Sequence, residues 1–218
     1  MRMFMEHIIK ATENLLIEQF KNESTGHDWY HLNRVRNLAL EIHKIENEGN
    51  PFIIEMAALL HDFYDDKLWD SPLDKKKELE LFLLNHLKDD DNVKQILHTI
   101  DSISYRWNRG KPVPTIEAKI VRDADRLDAI GAIGIARTFA YGGKKGQPIY
   151  DPEIQVRTEM TYEEYRHGKS TTINHFYEKL LKLKDTMQTK TGKQMAEERH
   201  QFMEEFLRRF LKEWNGEV

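Results

Sequence analysis

Apolar residues recur three and four positions apart along most of the chain, the spacing that places them on one face of an α-helix. The stretch from Leu32 to Ile42 shows the pattern most clearly. Proline at a first helical position indicates further starts at Asn50-Pro51 and Ser71-Pro72. The pattern predicts helices around residues 4–17, 32–42, 53–60, 79–87 and 93–103.

The second half of the chain has the same periodicity. A proline-containing loop precedes a segment from Thr115 to about Phe139, and YGGKKGQPIYDP, from Tyr141 to Pro152, is predicted to be a long loop. Two long amphipathic helices are predicted after it, one from Phe176 to Met187 and one from Phe202 to Leu211. No alternating run predicts a strand, so we expect an all-α fold.

The bulk composition limits the function classes. A chain of 218 residues fits one compact domain. The net charge of -4 with 32% charged residues gives no general basic field, so we expect no nucleic-acid partner. Cysteine is absent, which excludes disulfides and thiolate metal sites and suits a reducing cytoplasm. Any metal ligands must therefore be His, Asp or Glu.

Apolar runs are short, the longest being about five residues such as MAALL before His61. The start MRMFMEHIIKATEN lacks the apolar core and the cleavage site of a signal peptide. We therefore expect a soluble, cytoplasmic protein without a membrane segment.

Polar residues continue several of the apolar stripes. His31 lies one turn before Val35, and His61 lies three residues after Ala58, so both imidazoles are predicted to face inward. In VRDADRLDAIGAIGIA, both Asp125 and Asp128 share the face that should pack. Three helices thus bring His and Asp side chains toward one interior.

Two histidines with carboxylates form a nitrogen and oxygen ligand set that suits manganese, iron, cobalt or zinc and leaves positions for water or phosphate oxygens. The alternatives are hydrogen-bonded core histidines and, for Asp65 and Asp66, a solvated acidic patch. His27 and His31 are spaced i, i+4 but lack the Glu of the HExxH motif. His27 is therefore expected beside the site or on the surface.

The order His31, His61-Asp62, Asp125 resembles the H…HD…D signature of the HD-domain metal-dependent phosphohydrolases. Four segments of the sequence are similar to the bacterial YpgQ and YedJ branch: GHDWYHLNRV, AALLHDFYDDK, VRDADRLDAIGAIGIARTF and GKSTTINHFYEKLLKL. The resemblance therefore covers most of the chain. It implies a single compact helical domain over residues 1–218, with an HD core at about 24–140, a C-terminal helical part at about 160–215 and a metal site in the bundle core.

The resemblance also implies which residues bind the metal. His31, His61 and Asp62 match three ligand positions of the superfamily. The related guanosine tetraphosphate hydrolases have their fourth ligand in the triplet ADR, which matches Asp125 here, with Asp128 as the second choice. Asp123 falls on another helix face and is expected to be structural.

In those hydrolases, HD is followed by two residues and Glu-Asp, and HDFYDD differs by Asp65 in place of Glu. On a continuous helix Asp65 and Asp66 would lie i+3 and i+4 from Asp62, within reach of the metal's water. We expect one of them to orient or deprotonate that water. Weaker predictions for substrate binding are His27, Arg34 and Lys67; Lys119, Arg122 and Arg126 also flank the motifs.

The branch implies cleavage of a nucleoside or deoxynucleoside triphosphate to the monophosphate and pyrophosphate, with manganese as the expected metal and iron, cobalt, zinc or magnesium as alternatives. The partner would be a small-molecule nucleotide. A nucleoside monophosphate phosphatase or a cyclic nucleotide phosphodiesterase would use the same site. An alternative of another class is a non-catalytic ligand sensor with a structural metal. The sequence leaves the base preference and the oligomeric state open.

Overall fold

The computed structural model describes residues 2–21, 26–66, 68–87, 89–103, 113–158 and 168–217. Within these ranges the chain forms nine α-helices and two short 3-10 helices and contains no β-strand, which confirms the all-α prediction. The α-helices are α1 Arg2–Phe20, α2 Trp29–Glu46, α3 Pro51–Leu60, α4 Pro72–Leu87, α5 Asp90–Ile103, α6 Ile116–Asp128, α7 Gly131–Lys144, α8 Thr172–Glu178 and α9 Lys190–Trp214.

The chain forms two compact units, residues 1–125 and 126–218. The prediction of one HD-type domain over the whole chain stays a prediction. No helix in the described ranges combines the length and the apolar character that crossing a membrane requires.

The first unit is built around α3. The side chain of Asn50 accepts a hydrogen bond from the Phe52 amide and caps the helix, and Pro51 occupies its first position as predicted. Eight of the ten residues of α3 are buried. A helix that is apolar on nearly every side must be surrounded, and α1, α2 and α5 pack against it. The end of α3 is therefore held firmly inside this unit.

The helix α1 packs one face against the core of the first unit. Ile8, Leu16 and Phe20 are in the core, whereas Ile17 is 43% exposed. The polar Thr12 completes this stripe and is fully buried. The helix itself is confirmed, and its rotation follows from packing.

The second unit has an aromatic core. The rings of Phe139 on α7, Phe176 on α8 and Phe206 on α9 lie with their centroids 5.8 to 6.2 Å apart. Contacts at this spacing are favourable for aromatic rings. The three helices of this unit are thus joined through one cluster.

Two boundaries in the middle of the chain differ from the sequence predictions. The segment from Thr115 to about Phe139 is divided, because α6 ends at Asp128 and α7 begins at Gly131, whose φ of +73° is in the left-handed region. The predicted loop Tyr141–Pro152 starts later, since α7 continues through Lys144. The glycines of YGGKKG are thus tolerated inside a helix and at its end.

The predicted long helix from Phe176 to Met187 is wrong. The helix α8 ends at Glu178, and Lys179 has φ -138° and ψ -57°, which no α-helix accommodates. Two 3-10 turns follow, Leu180–Lys182 and Lys184–Thr186. Apolar residues three apart suit a 3-10 turn as well as an α-helix, so the pattern did not distinguish them. The final helix prediction is confirmed as α9.

Candidate metal centre

The start of α2 directs His31 into the core of the first unit. Asp28 is the N-cap, and its side chain accepts a hydrogen bond from the His31 amide at 2.8 Å. The His31 side chain is 1% exposed and continues the buried stripe of Leu32, Val35, Ala39 and Ile42. The predicted inward orientation of His31 is confirmed.

His61 and Asp62 follow the end of α3 directly. His61 is the C-cap residue, and its Nδ1–H donates a hydrogen bond to the Ala58 carbonyl oxygen at 2.8 Å. With Nδ1 used as a donor, Nε2 is the nitrogen that can bind a proton or a metal. Both residues are buried, His61 at 8% and Asp62 at 5% exposure.

The four predicted ligands come together. The two Nε2 atoms of His31 and His61 are 3.3 Å apart, and Asp62 Oδ2 lies 3.4 Å from the first and Asp62 Oδ1 3.4 Å from the second. Asp125 Oδ1 is 3.6 Å from each Nε2. Residues from α2, the end of α3 and α6 therefore point ligand atoms at one place.

These separations fit a metal ion. With bonds of about 2.1 Å, neighbouring donors around a tetrahedral or octahedral metal lie about 3.0 to 3.5 Å apart. Two nitrogens and the carboxylate oxygens face one another at 3.3 to 3.6 Å. The donor set has no sulfur, which favours a divalent ion that accepts imidazole and carboxylate together.

The local electrostatics also favour a cation. Burial alone would lower the pKa of His61, but the negative charge of Asp62 and the hydrogen bond and charge of Asp125 outweigh it and raise the pKa to about 10. Burial would likewise raise the pKa of Asp62, yet His61 and His27 hold it well below its usual range. Without a metal, the carboxylates thus stabilise a proton where a metal ion would bind.

His27 lies beside this cluster, although it does not share a helix with His31. It lies before the N-cap of α2, so the two histidines do not share a helix face. Its Nδ1–H donates to Asp62 Oδ2 at 2.7 Å. In this position His27 orients the Asp62 carboxylate, and its weak prediction as a substrate contact stays untested.

The two other aspartates of α6 have different surroundings. Asp128 is 1% exposed and forms an ion pair with Arg137 at 2.6 Å. Asp123 is fully buried. Of the three aspartates of α6, only Asp125 belongs to a group of possible ligands with His31 and His61 among the described residues. The geometry thus favours Asp125 over Asp128, a choice that helical facing had left open.

Asp65 and Asp66 do not lie on a continued helix, so the premise of their predicted spacing is wrong. The helix α3 ends at Leu60, and a turn follows in which the Asp65 amide donates to the Asp62 carbonyl at 3.2 Å. Both side chains are half-buried. Among the described residues, neither belongs to the two converging groups of possible ligands, which are His27 with His31 and Asp62, and His31 with His61 and Asp125.

The cations predicted to bind substrate or to flank the motifs have different surroundings. Arg34 is half-buried on α2, one turn after His31. Arg126 donates to the Thr186 carbonyl at 2.8 Å within the second unit. Lys67 lies outside the described residues. The predictions for Arg34 and Lys67 therefore stay predictions.

Sequence reasoning missed the contacts of Tyr64, the residue that precedes Asp65. The Tyr64 hydroxyl donates to Asp101 Oδ1 at 2.9 Å, and Lys76 donates to Asp101 Oδ2 at 2.6 Å. A tyrosine within an apolar run indicates a buried polar partner, but nothing in the text identifies Asp101, 37 residues later.

Comparison with known proteins identifies the family of this chain. The HD domain family model matches residues 28–130. YpgQ of Bacillus subtilis strain 168 is 41% identical to this chain, and the match covers 89% of this chain and 88% of YpgQ. Protein L803 of Acanthamoeba polyphaga mimivirus is 32% identical over 78% of this chain and 81% of its own length.

Solved structures are similar over nearly the whole chain. An HD-superfamily hydrolase from Bacillus thuringiensis is 44% identical with a TM-score of 0.77, and covers 97% of this chain and 98% of its own. The structure of Bacillus subtilis YpgQ in complex with ADP is 37% identical with a TM-score of 0.74, and covers 92% and 97%. The fold, the converging histidines and aspartates, and these relatives agree: the chain belongs to the HD-domain family and is an HD-superfamily hydrolase.

Proposed function

We propose that this protein is a manganese-dependent nucleotide pyrophosphohydrolase that cleaves nucleoside or deoxynucleoside triphosphates to the monophosphate and pyrophosphate. The supporting observation is the convergence of His31, His61, Asp62 and Asp125 within 3.3 to 3.6 Å, with the Ala58 carbonyl bound to His61 Nδ1. The similar protein YpgQ has been crystallised in complex with ADP, which supports a nucleotide as the substrate class.

His31, His61, Asp62 and Asp125 would hold the metal ion. When bound, it supplies a Lewis acid that shields phosphate charge and lowers the pKa of a water molecule. His27 orients Asp62 by its hydrogen bond, and the Ala58 carbonyl orients His61. These contacts fix the directions of the donor atoms before the substrate binds.

Asp65 and Asp66 are proposed to handle the proton. One carboxylate accepts a proton from the attacking water, whose oxygen forms the new bond to the α-phosphorus. The bond from that phosphorus to the bridging oxygen breaks, and pyrophosphate leaves. Arg34 and Lys67 are the cations we propose for the phosphate chain, since phosphoryl transfer needs positive charge close to the phosphate oxygens.

Product analysis tests this proposal. The full-length protein is stripped with a chelator, restored with manganese, and incubated with ribo- and deoxynucleoside triphosphates, monophosphates and cyclic nucleotides. We expect monophosphate and pyrophosphate from triphosphates only, and only with metal. In water enriched in heavy oxygen, the label should enter the monophosphate, because attack is at the α-phosphorus.

The other outcomes separate the alternatives. Inorganic phosphate from monophosphates would indicate a phosphatase, and opening of cyclic nucleotides would indicate a phosphodiesterase. Label in the pyrophosphate would contradict attack at the α-phosphorus. The Asp62→Ala protein is the metal-site control, and Asp74→Ala, an exposed aspartate on α4, is the matched surface control.

A further inference from the structure

Among its described residues, the turn that carries Asp65 and Asp66 has isolated backbone hydrogen bonds and no helical ladder. After α3 ends, the amides of Phe63, Asp65 and Leu68 each donate to the carbonyl three residues earlier, at 3.0, 3.2 and 3.1 Å. Isolated turns of this kind lack the continuous bonding of an α-helix. The backbone position of the two aspartates therefore also depends on what anchors the residues beside them.

The first anchor is Tyr64, which directly precedes Asp65. Its side chain is 1% exposed, and its hydroxyl donates to Asp101 Oδ1 at 2.9 Å. The other oxygen of Asp101 accepts from Lys76 Nζ at 2.6 Å. Asp101 is on α5 and Lys76 is on α4, so one carboxylate connects the turn to two helices.

A second anchor is formed by Lys75, which contacts one aromatic ring on each side of the two aspartates in sequence. The Lys75 ammonium lies 4.6 Å from the ring centroid of Trp69 and 5.7 Å from that of Phe63. Both distances are within the range of a cation–π contact. In sequence, Asp65 and Asp66 thus lie between Phe63 and Trp69, which both contact Lys75 of α4.

The polar groups of the first anchor are not needed to fill space. Phenylalanine at position 64 would occupy nearly the same volume without burying a hydroxyl, and burying a hydroxyl is unfavourable unless it is hydrogen-bonded. The hydroxyl instead meets a carboxylate whose second oxygen is ion-paired. A bond of this kind is directional, whereas apolar packing tolerates small rotations.

We propose that Tyr64, Asp101 and Lys76 form a positioning network that holds Asp65 and Asp66 in their catalytic orientation. The proposal rests on the proposed function of those two aspartates. The three residues act through the turn: Asp101 fixes the Tyr64 hydroxyl, Tyr64 fixes the backbone of Asp65, and Lys76 fixes Asp101.

Kinetics of single variants give the first test. In Tyr64→Phe, Asp101→Asn and Lys76→Gln we expect kcat to fall about 10-fold to 100-fold, the range for misplacement of a reacting group by about 1 Å. KM and manganese affinity should stay within about twofold, because the metal ligands are unchanged. Lys77→Gln is the matched control, since this neighbouring lysine is 75% exposed, and it should match the wild type. Lys76→Arg should restore most of the rate.

A double-mutant cycle separates positioning from general destabilisation. Tyr64→Phe is combined with whichever of Asp65→Ala and Asp66→Ala loses more turnover. If Tyr64 acts through that carboxylate, the double variant is no slower than the aspartate variant alone. Multiplying losses would overturn the proposal, because Tyr64 would then act elsewhere.

Hydrogen exchange of the metal-free full-length protein supplies a readout without turnover. Tyr64→Phe should speed exchange at the amides of Asp65, Asp66 and Leu68 and leave α2 and α6 unchanged. Unchanged exchange in the turn would overturn the positioning network. A wild-type protein that hydrolyses none of the nucleotides would contradict the proposed function alone, so the two failures are distinguishable.

Discussion

Two groups of charged side chains, one in each unit, show different ways of placing a buried carboxylate inside the fold. In residues 126–218, the side chain of Glu178 is 1% exposed and accepts four hydrogen bonds. Three come from Arg157, at 3.1, 2.8 and 2.7 Å, and one from Ser170 at 3.0 Å. An ionised carboxylate has about four acceptor sites, so this one is saturated.

The group in residues 1–125 is arranged differently. His31, His61, Asp62 and Asp125 direct acceptor atoms at one another at 3.3 to 3.6 Å. His27 donates one hydrogen bond to Asp62, and the imidazoles and carboxylates of the four residues also face one another. Acceptors at such distances, three of whose side chains are buried, need a shared proton or cation. A saturated group stabilises the fold, whereas converging acceptors indicate a binding site.

The largest effect is expected from substitution of Asp62, which tests whether the converging group is a metal site. Asp62→Ala removes the carboxylate that faces both imidazoles, so manganese binding should be lost and turnover should fall to that of the metal-free protein. Calorimetric titration with manganese and product release measure both quantities. Wild-type affinity in this variant would contradict the metal assignment, and Asp74→Ala is the control.

The next effect concerns the turn. Asp66→Ala should keep manganese affinity and lower kcat by about 100-fold to 10,000-fold, the contribution of general acid–base catalysis. Steady-state kinetics of Asp65→Ala and Asp66→Ala identify the stronger contributor. Full activity of the Asp66→Ala protein would show that this carboxylate does not handle the proton.

A matched pair on α6 sharpens the contrast within one helix. Asp125→Asn should weaken manganese binding by at least about 100-fold, the upper end for residues that only support a ligand. Asp128→Asn should keep the metal and destabilise the protein by about 2 kcal/mol, because it weakens a charged hydrogen bond to Arg137. Titration and urea unfolding of both variants test the pair, and reversed results would make Asp128 the ligand.

The smallest effect tests the saturated group. Burial alone would raise the pKa of Glu178, but hydrogen bonds from Arg157 and Ser170 and the Arg157 charge lower it below its usual value. A lowered pKa contributes stability that is complete above the unfolded value of about 4.3 and is lost as the pH falls through the folded value. Glu178→Gln should therefore be about 2 kcal/mol less stable at neutral pH.

The pH dependence gives the decisive comparison for Glu178. The stability gap between wild type and Glu178→Gln should stay constant between about pH 7 and pH 5 and narrow below about pH 4.3. Urea unfolding at several pH values measures it. A gap that does not narrow in acid would show that the Glu178 charge adds no stability.

Much of the fold and of the candidate site was predictable. Helical periodicity located α2, α3 and α5, and the inward stripe that contains His31 followed from it. The ordered motif and its context also selected Asp125, which lies beside both imidazoles. These signals are local or strongly patterned, so they can be recognised without knowing which distant residues they contact.

The failures have a common physical origin. The apolar Phe63 and Tyr64 continue the helical spacing of α3, although the helix ends at Leu60. In the same way, Phe176 to Met187 has helical spacing but is interrupted at Lys179. In both places a residue beside the interruption is bound by a charged side chain distant in sequence: Tyr64 by Asp101 and Glu178 by Arg157.

Local patterns of residues thus establish the helical class, the inward faces and the inventory of possible ligands, because periodicity and side-chain chemistry act over a few residues. Long-range packing decides which aspartate of α6 meets the histidines, where the chain leaves α3, and that His27 contacts Asp62. These outcomes depend on partners 35 or more residues away, as for His27 with Asp62. Their energies come from burial and hydrogen bonds that exist only after the helices have packed.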